Sequence, residues 1–174
     1  MQLDEARLVA LVRKGDQSAY SYLVVRHLPA IEFYAKRIVN DSVLAQDIAQ
    51  DVMVVLWQRS GDFNPEKAKL TTWLHRIAYN RCIDIMRKRQ REVSWDASDS
   101  EHPVVESERP SEHQPIDAAL MRLPESQRTT LVLTYYQNLS NREVAEIMNS
   151  SVRAVESLLV RARGNLKKQL ETQQ

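Results

Sequence analysis

The fold class predicted is all-α: two small helical domains joined by a flexible acidic linker, the C-terminal one a helix-turn-helix domain. Three observations predict it. Apolar residues recur at helical spacing on both sides of the linker, and the first 91 residues show no alternating strand pattern. Only three of the 174 residues are glycine while 43% are hydrophobic, which suits helices with few tight hairpins. Between the two helical stretches lies SWDASDSEHPVVESERPSEHQ, acidic, rich in Ser and Pro and poor in apolar side chains.

The elements follow in order. Leu3, Ala6, Leu8, Val9, Leu11 and Val12 form a broad apolar stripe and predict a first helix over residues 3–14. Gly15-Asp16 ends it and caps a second, from about Gln17 to Leu28. Pro29 is expected at the start of a third helix that runs to Val39, where its missing N–H costs nothing. Asn40-Asp41-Ser42 is a turn with capping residues. A fourth helix then spans about Val43 to Arg59, with Ile48, Val52, Val55 and Leu56 as its core face and Asp47, Gln50, Asp51 and Met53 toward another side. Gly61 to Lys69 is a loop containing Asn64-Pro65. A fifth helix, about Thr71 to Arg91, puts Leu74, Ala78, Cys82, Ile85 and Met86 on one side and Trp73, Arg76, Asn80 and Arg87 on the opposite one.

Residues 92–116 bury too little apolar surface to offset chain entropy and are expected to form the linker. Such a linker argues for two independently folded domains, residues 1–91 and 117–174. The second is only about 55 residues, near the lower limit for a lone core, so docking onto a partner is expected. It is predicted to hold a short helix over Asp117 to Leu123 and a longer one that Pro124 starts and that ends near Gln137.

Leu139 to Arg163, LSNREVAEIMNSSVRAVESLLVRAR, then reads as two short helices joined by a tight turn. Ser140 and Glu143 have capping-box spacing. Val144, Ala145 and Met148 share a face. Asn149 tolerates the left-handed turn conformation, and Ser151 follows as an N-cap. In the second helix Val152, Val155, Leu158, Leu159 and Ala162 are expected inside, and Arg153, Glu156, Ser157, Val160 and Arg161 outside. That is a helix-turn-helix, with the outer face of residues 153–163 aimed at a DNA major groove. A helical hairpin in an ordinary bundle is the plainer alternative.

Net charge is only +1, so the total gives no sign of nucleic acid; the distribution does. Thr71 to Arg91 carries six basic side chains against Asp84 alone, Glu92 to Asp117 eight acidic ones against Arg109 alone, and Ser150 to Leu170 five basic ones against Glu156 alone. Two cationic surfaces are thus separated by an anionic connector. On the fifth helix, Arg neutralises phosphates, Asn bonds a base edge and Trp stacks on a base. The loop before it, Asn64 to Thr72, could hold an unstacked base. The competing reading is a solvated charged face with Trp73 packed into that loop. Asp47 and Asp51, near a helix N-terminus, either solubilise the helix or dock a basic partner.

An enzyme is not expected. Asp47 and Asp51 stand at i, i+4 without an apolar pocket to raise either pKa. The four histidines are scattered without metal-ligand spacing, and no glycine-rich phosphate loop is present. Cys82 is the lone cysteine, amid apolar helical neighbours, and reads as a buried small side chain. No disulfide framework, signal-peptide layout or membrane-length apolar run is present, so a soluble cytoplasmic protein is the expectation.

Taken together and in this order, AQDIAQDVMVVLW, TTWLHRIAYNRCIDIMRKRQR, the acidic linker and LPESQRTTLVLTYYQNLSNREVAEIMNSSVRAVESLLVRAR resemble the extracytoplasmic-function (ECF) sigma factors, small two-domain bacterial transcription initiation factors. The resemblance covers about residues 5–91 and 117–170, and with nothing after Gln174 the chain looks like the minimal form. It implies that the helix carrying Asp47, Gln50, Asp51, Met53 and Trp57 binds the clamp helices of the largest subunit of core RNA polymerase, with the flap region as a further contact. It implies that the loop from Asn64 to Leu70, Lys69 included, together with Trp73, Arg76 and Asn80, melts and reads the −10 element. Arg87, Lys88 and Arg91 would hold duplex phosphates upstream. Arg153, Glu156, Ser157, Val160, Arg161 and Arg163 would face the −35 element. No cofactor, metal or catalytic residue is implied, and the linker would thread the polymerase near the RNA exit path.

A membrane-bound or soluble anti-sigma factor is implied as a further partner, with no membrane insertion by this chain. Two positions depart from better-known relatives. The melting helix has Trp73-Leu74 where housekeeping members have paired tryptophans, as is usual for the small members. Glu156 and Leu158 stand where arginines are often found; Glu156 either accepts from a cytosine amino group or pairs with Arg153 or Arg161. Two other readings compete. A stand-alone helix-turn-helix regulator would need an N-terminal α/β ligand or phosphoacceptor domain. A protein-binding helical adaptor would gain no DNA affinity from polymerase.

Overall fold

A computed structural model describes residues 4–95 and 114–171. Among them every regular element is helical. The first half comprises α1 (Glu5–Arg13), α2 (Gln17–Val39), α3 (Ser42–Arg59), a 3-10 turn (Ser60–Asp62) and α4 (Leu70–Trp95). The second comprises α5 (Gln114–Met121), α6 (Glu125–Leu131), a π-helical turn (Val132–Tyr136), α7 (Asn141–Ile147) and α8 (Val152–Glu171).

Side-chain caps start the early helices. Asp4, Asp16 and Asp41 each stand at an N-cap and accept from the backbone N–H of Ala6, Ala19 and Leu44, satisfying donors the helix leaves unpaired. Asn40 takes the left-handed conformation (φ 53°) that turns α2 into α3. Leu23, Ile31 and Ile38 of α2, Ile48, Val52 and Leu56 of α3, and Leu74, Ala78 and Cys82 of α4 are buried against one another. In the second half Leu120, Leu131, Leu133, Val144, Ile147, Val155, Leu159 and Ala162 do the same.

The two halves are packed together, with one contiguous set of buried apolar side chains running through both. Arg128 of α6, 4% exposed, donates across the junction to the Ile38 carbonyl at 3.0 Å. Gln137 donates to the Ala30 carbonyl (3.2 Å), and Arg37 approaches Asp117 at 3.2 Å. The Arg37 guanidinium also lies 3.7 Å from the Phe33 ring centroid and 4.7 Å from that of Tyr136. The small second domain thus docks onto the first rather than standing apart, which provides burial that about 55 residues supply poorly alone.

Four boundaries differ from the sequence expectation. Residues 17–39 form one helix with Pro29 inside it, not two with Pro29 at a start. Pro29 and Val25 are both exposed, so the carbonyl that Pro29 leaves without its helical partner is on the solvent side, where water replaces the bond. The fifth predicted helix continues past Arg91 to Trp95, because no Gly or Pro stops it until Pro103. The short helix spans Gln114–Met121, not Asp117–Leu123. The helix after Pro124 changes to a π turn from Val132, and the Gln137 N–H reaches back to the Val132 carbonyl at 3.1 Å. The predicted linker therefore gives residues 92–95 and 114–116 to helices, and its remaining residues, 96–113, lie outside the described ones.

Candidate functional site

Three groups of polar and cationic side chains stand on this scaffold. On α3, Asp47, Gln50 and Asp51 are exposed, and Trp57 is 37% exposed with its ring edge-on to Tyr20 at 5.0 Å. Val54, 46% exposed, completes the stripe and was missed by the sequence reading, although it lies at i+3 and i+4 from Asp51 and Gln50. Met53 does not belong there. It is buried in the core because its direction on the helix is that of Ala49 and Leu56, and its carbonyl accepts from the Tyr20 hydroxyl at 3.1 Å. Arg81 of α4 lies 3.8 Å from Asp51, so the acidic stripe borders the basic helix.

The second group surrounds the loop before α4. Arg13 at the end of α1 donates to the carbonyls of Ser60 (2.9 Å) and Phe63, which pins the loop's start. Asn64 is exposed, but its side-chain oxygen accepts from the Glu66 N–H (2.9 Å) and its carbonyl from those of Lys67 and Ala68, making a tight turn. The Lys69 carbonyl accepts the first bond of α4, from Trp73. Trp73 is half-buried with its ring 5.8 Å from Phe63, so it leans on the loop and leaves only part of its ring open. Arg76 and Asn80 are exposed on the following turns.

Arg87, Lys88 and Arg91 are exposed at the far end of the helix, about 20–27 Å from Trp73 at 1.5 Å per residue. The Arg91 guanidinium donates back to the Arg87 carbonyl. Arg89, amid them, is tied to Asp41 at 3.0 Å. Backbone bonding from Leu44, then this guanidinium, hold the Asp41 carboxyl below the usual carboxylate range.

Helix α4 has a further side that the sequence reading did not find. Thr72 and His75 are buried beneath the second domain. The His75 Nδ1 meets the Thr71 carbonyl at 2.8 Å, and its ring lies edge-on to Tyr34 with centroids 5.7 Å apart. Burial pushes the His75 pKa down, against the raising influence of Thr71 and Gln137. The signal available in the sequence was only that His75 falls between the core and solvent faces.

The third group is on the helix-turn-helix. Ser140 and Glu143 form the predicted capping box, Asn149 adopts φ 50°, and the Ser151 hydroxyl accepts from the Ala154 N–H at 3.1 Å. Arg153, Glu156, Ser157, Val160, Arg161 and Arg163 are all exposed along α8. The Ser157 hydroxyl donates to the Arg153 carbonyl and Arg163 to that of Leu159, so both side chains start from fixed positions. Val152, the first residue of α8, was expected inside but is 40% exposed; Leu158 is only half-buried, and Val155, Leu159 and Ala162 make the seam. Ile147, which the pattern did not single out, is buried beside Val144 and Ala145.

Among the described residues no cluster of His, Cys, Asp or Glu could hold a metal ion. Cys82 is fully buried, and burial pushes its thiol up to about 12. No described helix is long and apolar enough to cross a membrane. The arrangement is one of binding faces: an acidic-aromatic stripe, a basic helix with a partly stacked Trp, and an exposed recognition helix.

Two family models match the chain, one described as Sigma-70 region 2 over residues 23–92 and one as Sigma-70, region 4 over residues 113–166. The RNA polymerase sigma factor NccH of Alcaligenes xylosoxydans xylosoxydans is 32% identical, over 99% of this chain and 97% of its own length. The ECF RNA polymerase sigma factor SigW of Bacillus subtilis is 30% identical, over 98% of each. Among solved structures, the sigma factor RpoE in complex with the anti-sigma factor NepR from Bartonella quintana superimposes with a TM-score of 0.73 at 26% identity, covering 89% of this chain and 98% of that one.

Proposed function

The chain belongs to the ECF subfamily of bacterial sigma factors, and we propose that its three faces divide the work of promoter-specific initiation among core polymerase, the −10 element and the −35 element. The α3 stripe of Asp47, Gln50, Asp51 and Trp57, now with Val54 and without Met53, docks on the clamp helices of the largest polymerase subunit; the second domain makes a further contact with the flap region. Exposed carboxylates beside an exposed aromatic edge suit a partner with a basic, partly apolar surface. Asn64, Lys69, Trp73, Arg76 and Asn80 capture the non-template −10 strand, and Arg87, Lys88 and Arg91 hold duplex phosphates upstream. Arg153, Glu156, Ser157, Val160, Arg161 and Arg163 read the −35 major groove.

The observation that carries this reading is the exposure of the α8 face behind a well-formed capping box and left-handed turn. A recognition helix needs that geometry to enter the groove. The chemistry is binding rather than covalent change. Base capture at −10 offsets the cost of unpairing, and polymerase makes the RNA.

The docked domains set a condition on the mechanism. Lys69 of the −10 group and Glu143 of the helix-turn-helix are 3.0 Å apart. Promoter elements centred about 25 base pairs apart are separated by roughly 85 Å of duplex at ~3.4 Å per pair. The two domains must therefore part before both elements are read together. Residues 96–113 supply a contour length of about 65 Å at ~3.6 Å each, and α4 from Trp73 to Trp95 adds about 33 Å at ~1.5 Å per residue. A soluble, cytoplasmic chain held by an anti-sigma factor that favours the docked form fits the likeness to RpoE in complex with NepR.

Separate substitutions on the two DNA faces and the α3 face test the division. Loss of polymerase binding from α3 variants alone, and of promoter selectivity from α8 variants alone, is the expected pattern. Loss of both functions from either set would contradict it.

A further inference from the structure

The contact between the two DNA-binding groups is built around one carboxylate. Glu143 stands at the third position of α7. Its Oε2 accepts from the Ser140 N–H (2.8 Å) and hydroxyl (2.7 Å), which completes the capping box. Its Oε1 lies 3.0 Å from Lys69 Nζ and accepts from the Thr72 hydroxyl at 3.4 Å. One oxygen therefore starts the helix-turn-helix while the other takes up a cation and a hydroxyl at the entrance to α4. An anionic oxygen receiving an ammonium and a hydroxyl has the chemistry of a phosphate contact in a protein–DNA complex.

We propose that Glu143 is an intramolecular stand-in for a DNA phosphate: in the docked chain it occupies Lys69 and Thr72, so that closure of the two domains competes directly with single-stranded DNA. The proposal rests on the assignment of the loop around Lys69 to the −10 strand.

The surrounding interface has the properties of a contact meant to be given up. Lys69 is 77% exposed, so the ion pair is screened and weak. Deeper in, the junction is poorly satisfied. Arg128 Nε and Arg37 Nε are buried without a hydrogen-bond partner. The Tyr34 and Thr129 hydroxyls and His75 Nε2 are likewise buried without a hydrogen-bond partner. Each polar atom left unpaired at the junction costs the docked form stability, which lowers the cost of opening. A strand that supplies its own phosphate to Lys69 needs to displace only a weak, exposed pair.

The test is Glu143→Gln in the full chain. Glutamine at this position keeps the capping box, so the helix-turn-helix start is preserved while the charge on Lys69 is removed. The probe is a fluorescent pool of random-sequence single-stranded 12-mers, titrated by anisotropy across a salt series against the free chain and its complex with core polymerase. Circular dichroism melting checks that the variant folds as the parent does.

The free variant is expected to bind about two- to fivefold tighter at low salt, the range an exposed ion pair spans. Its dependence of log K on log salt should steepen, because in the parent added salt also weakens the Lys69–Glu143 pair that the strand must displace. In the polymerase complex, where the domains are apart, parent and variant should match. Equal affinity and equal slope for the two free chains, with strand capture in the polymerase complex still lost on Lys69→Ala, would overturn the role of Glu143 alone. If Lys69→Ala leaves capture in the polymerase complex unchanged, the assignment of the loop falls, and the proposal with it.

Discussion

Single side chains decide which partner each face meets, and the division of labour can be tested one residue at a time. Asp51 is exposed on α3 with Arg81 only loosely beside it at 3.8 Å. Asp51→Ala should weaken binding to core polymerase by about tenfold, ~1.4 kcal/mol, with the melting curve unchanged. Surface plasmon resonance on immobilised polymerase gives the number, and unchanged affinity removes Asp51 from the interface. Arg161→Ala should cost about 1–3 kcal/mol in promoter binding by the polymerase complex and relax selectivity at one base, leaving polymerase affinity intact. Cys82 has no solvent access, and burial raises its thiol to about 12. It should therefore resist thiol reagents in the native chain and react after denaturation; rapid native labelling would mean that α4 opens readily. At this scale the periodicity of α8 found the exposed Arg153, Glu156, Ser157, Val160 and Arg161 but misplaced Val152, which is 40% exposed. It failed where a side chain sits between two directions. Met53 and Val54 are neighbours on one helix, and only the packing of α2 against α3 decides that Met53 goes in and Val54 out.

Elements are where the sequence was most legible, because caps and turns are local. The capping box at Ser140, the left-handed Asn149 and the Ser151 cap were all readable from residue type and spacing. Ser140→Ala should therefore lower the stability of the second domain by about 1 kcal/mol in a urea titration, and Ser140→Thr should restore most of it. No change on Ser140→Ala would mean that tertiary packing, not the cap, holds α7. What escaped the sequence depends on the environment of an element rather than on its residues. Pro29 reads as a helix start, yet the helix runs through it because its free carbonyl faces solvent. The π turn at Val132–Tyr136 has no composition signal; it carries Tyr136 and Gln137 to Phe33 and Ala30 of the first domain. The extension of α4 to Trp95 was readable in hindsight, from the lack of a stop signal, but the acidic composition after Arg91 outweighed it.

The whole molecule is a docked pair of domains, which two separate periodic stretches could not foretell, since a linker predicts freedom and says nothing about affinity between its ends. The buried side of α4, with Thr72 and His75, belongs to this level. Burial lowers the His75 pKa in the docked form, so the neutral ring is favoured there. The stability that this gives to docking is fully present above the ordinary histidine value of about 6.5 and is lost as pH falls below it. Small-angle scattering of the free chain should thus show expansion as pH drops from 7.5 toward 5.5, all in rough steps of the titration, and His75→Gln should flatten the response. A radius independent of pH in the parent would mean that the docked form tolerates a charged His75. The central claim is that this chain gives core RNA polymerase its promoter choice. The most direct measurement mixes the purified chain with bacterial core polymerase and a library of promoter-length DNA, and sequences the transcripts. Initiation that requires the added chain, enriched for one −35 and −10 pair and shifted in its −35 preference by Arg161→Ala, is the predicted result. Association with polymerase that produces no selective transcript, or selective DNA binding by the chain without polymerase, would contradict it.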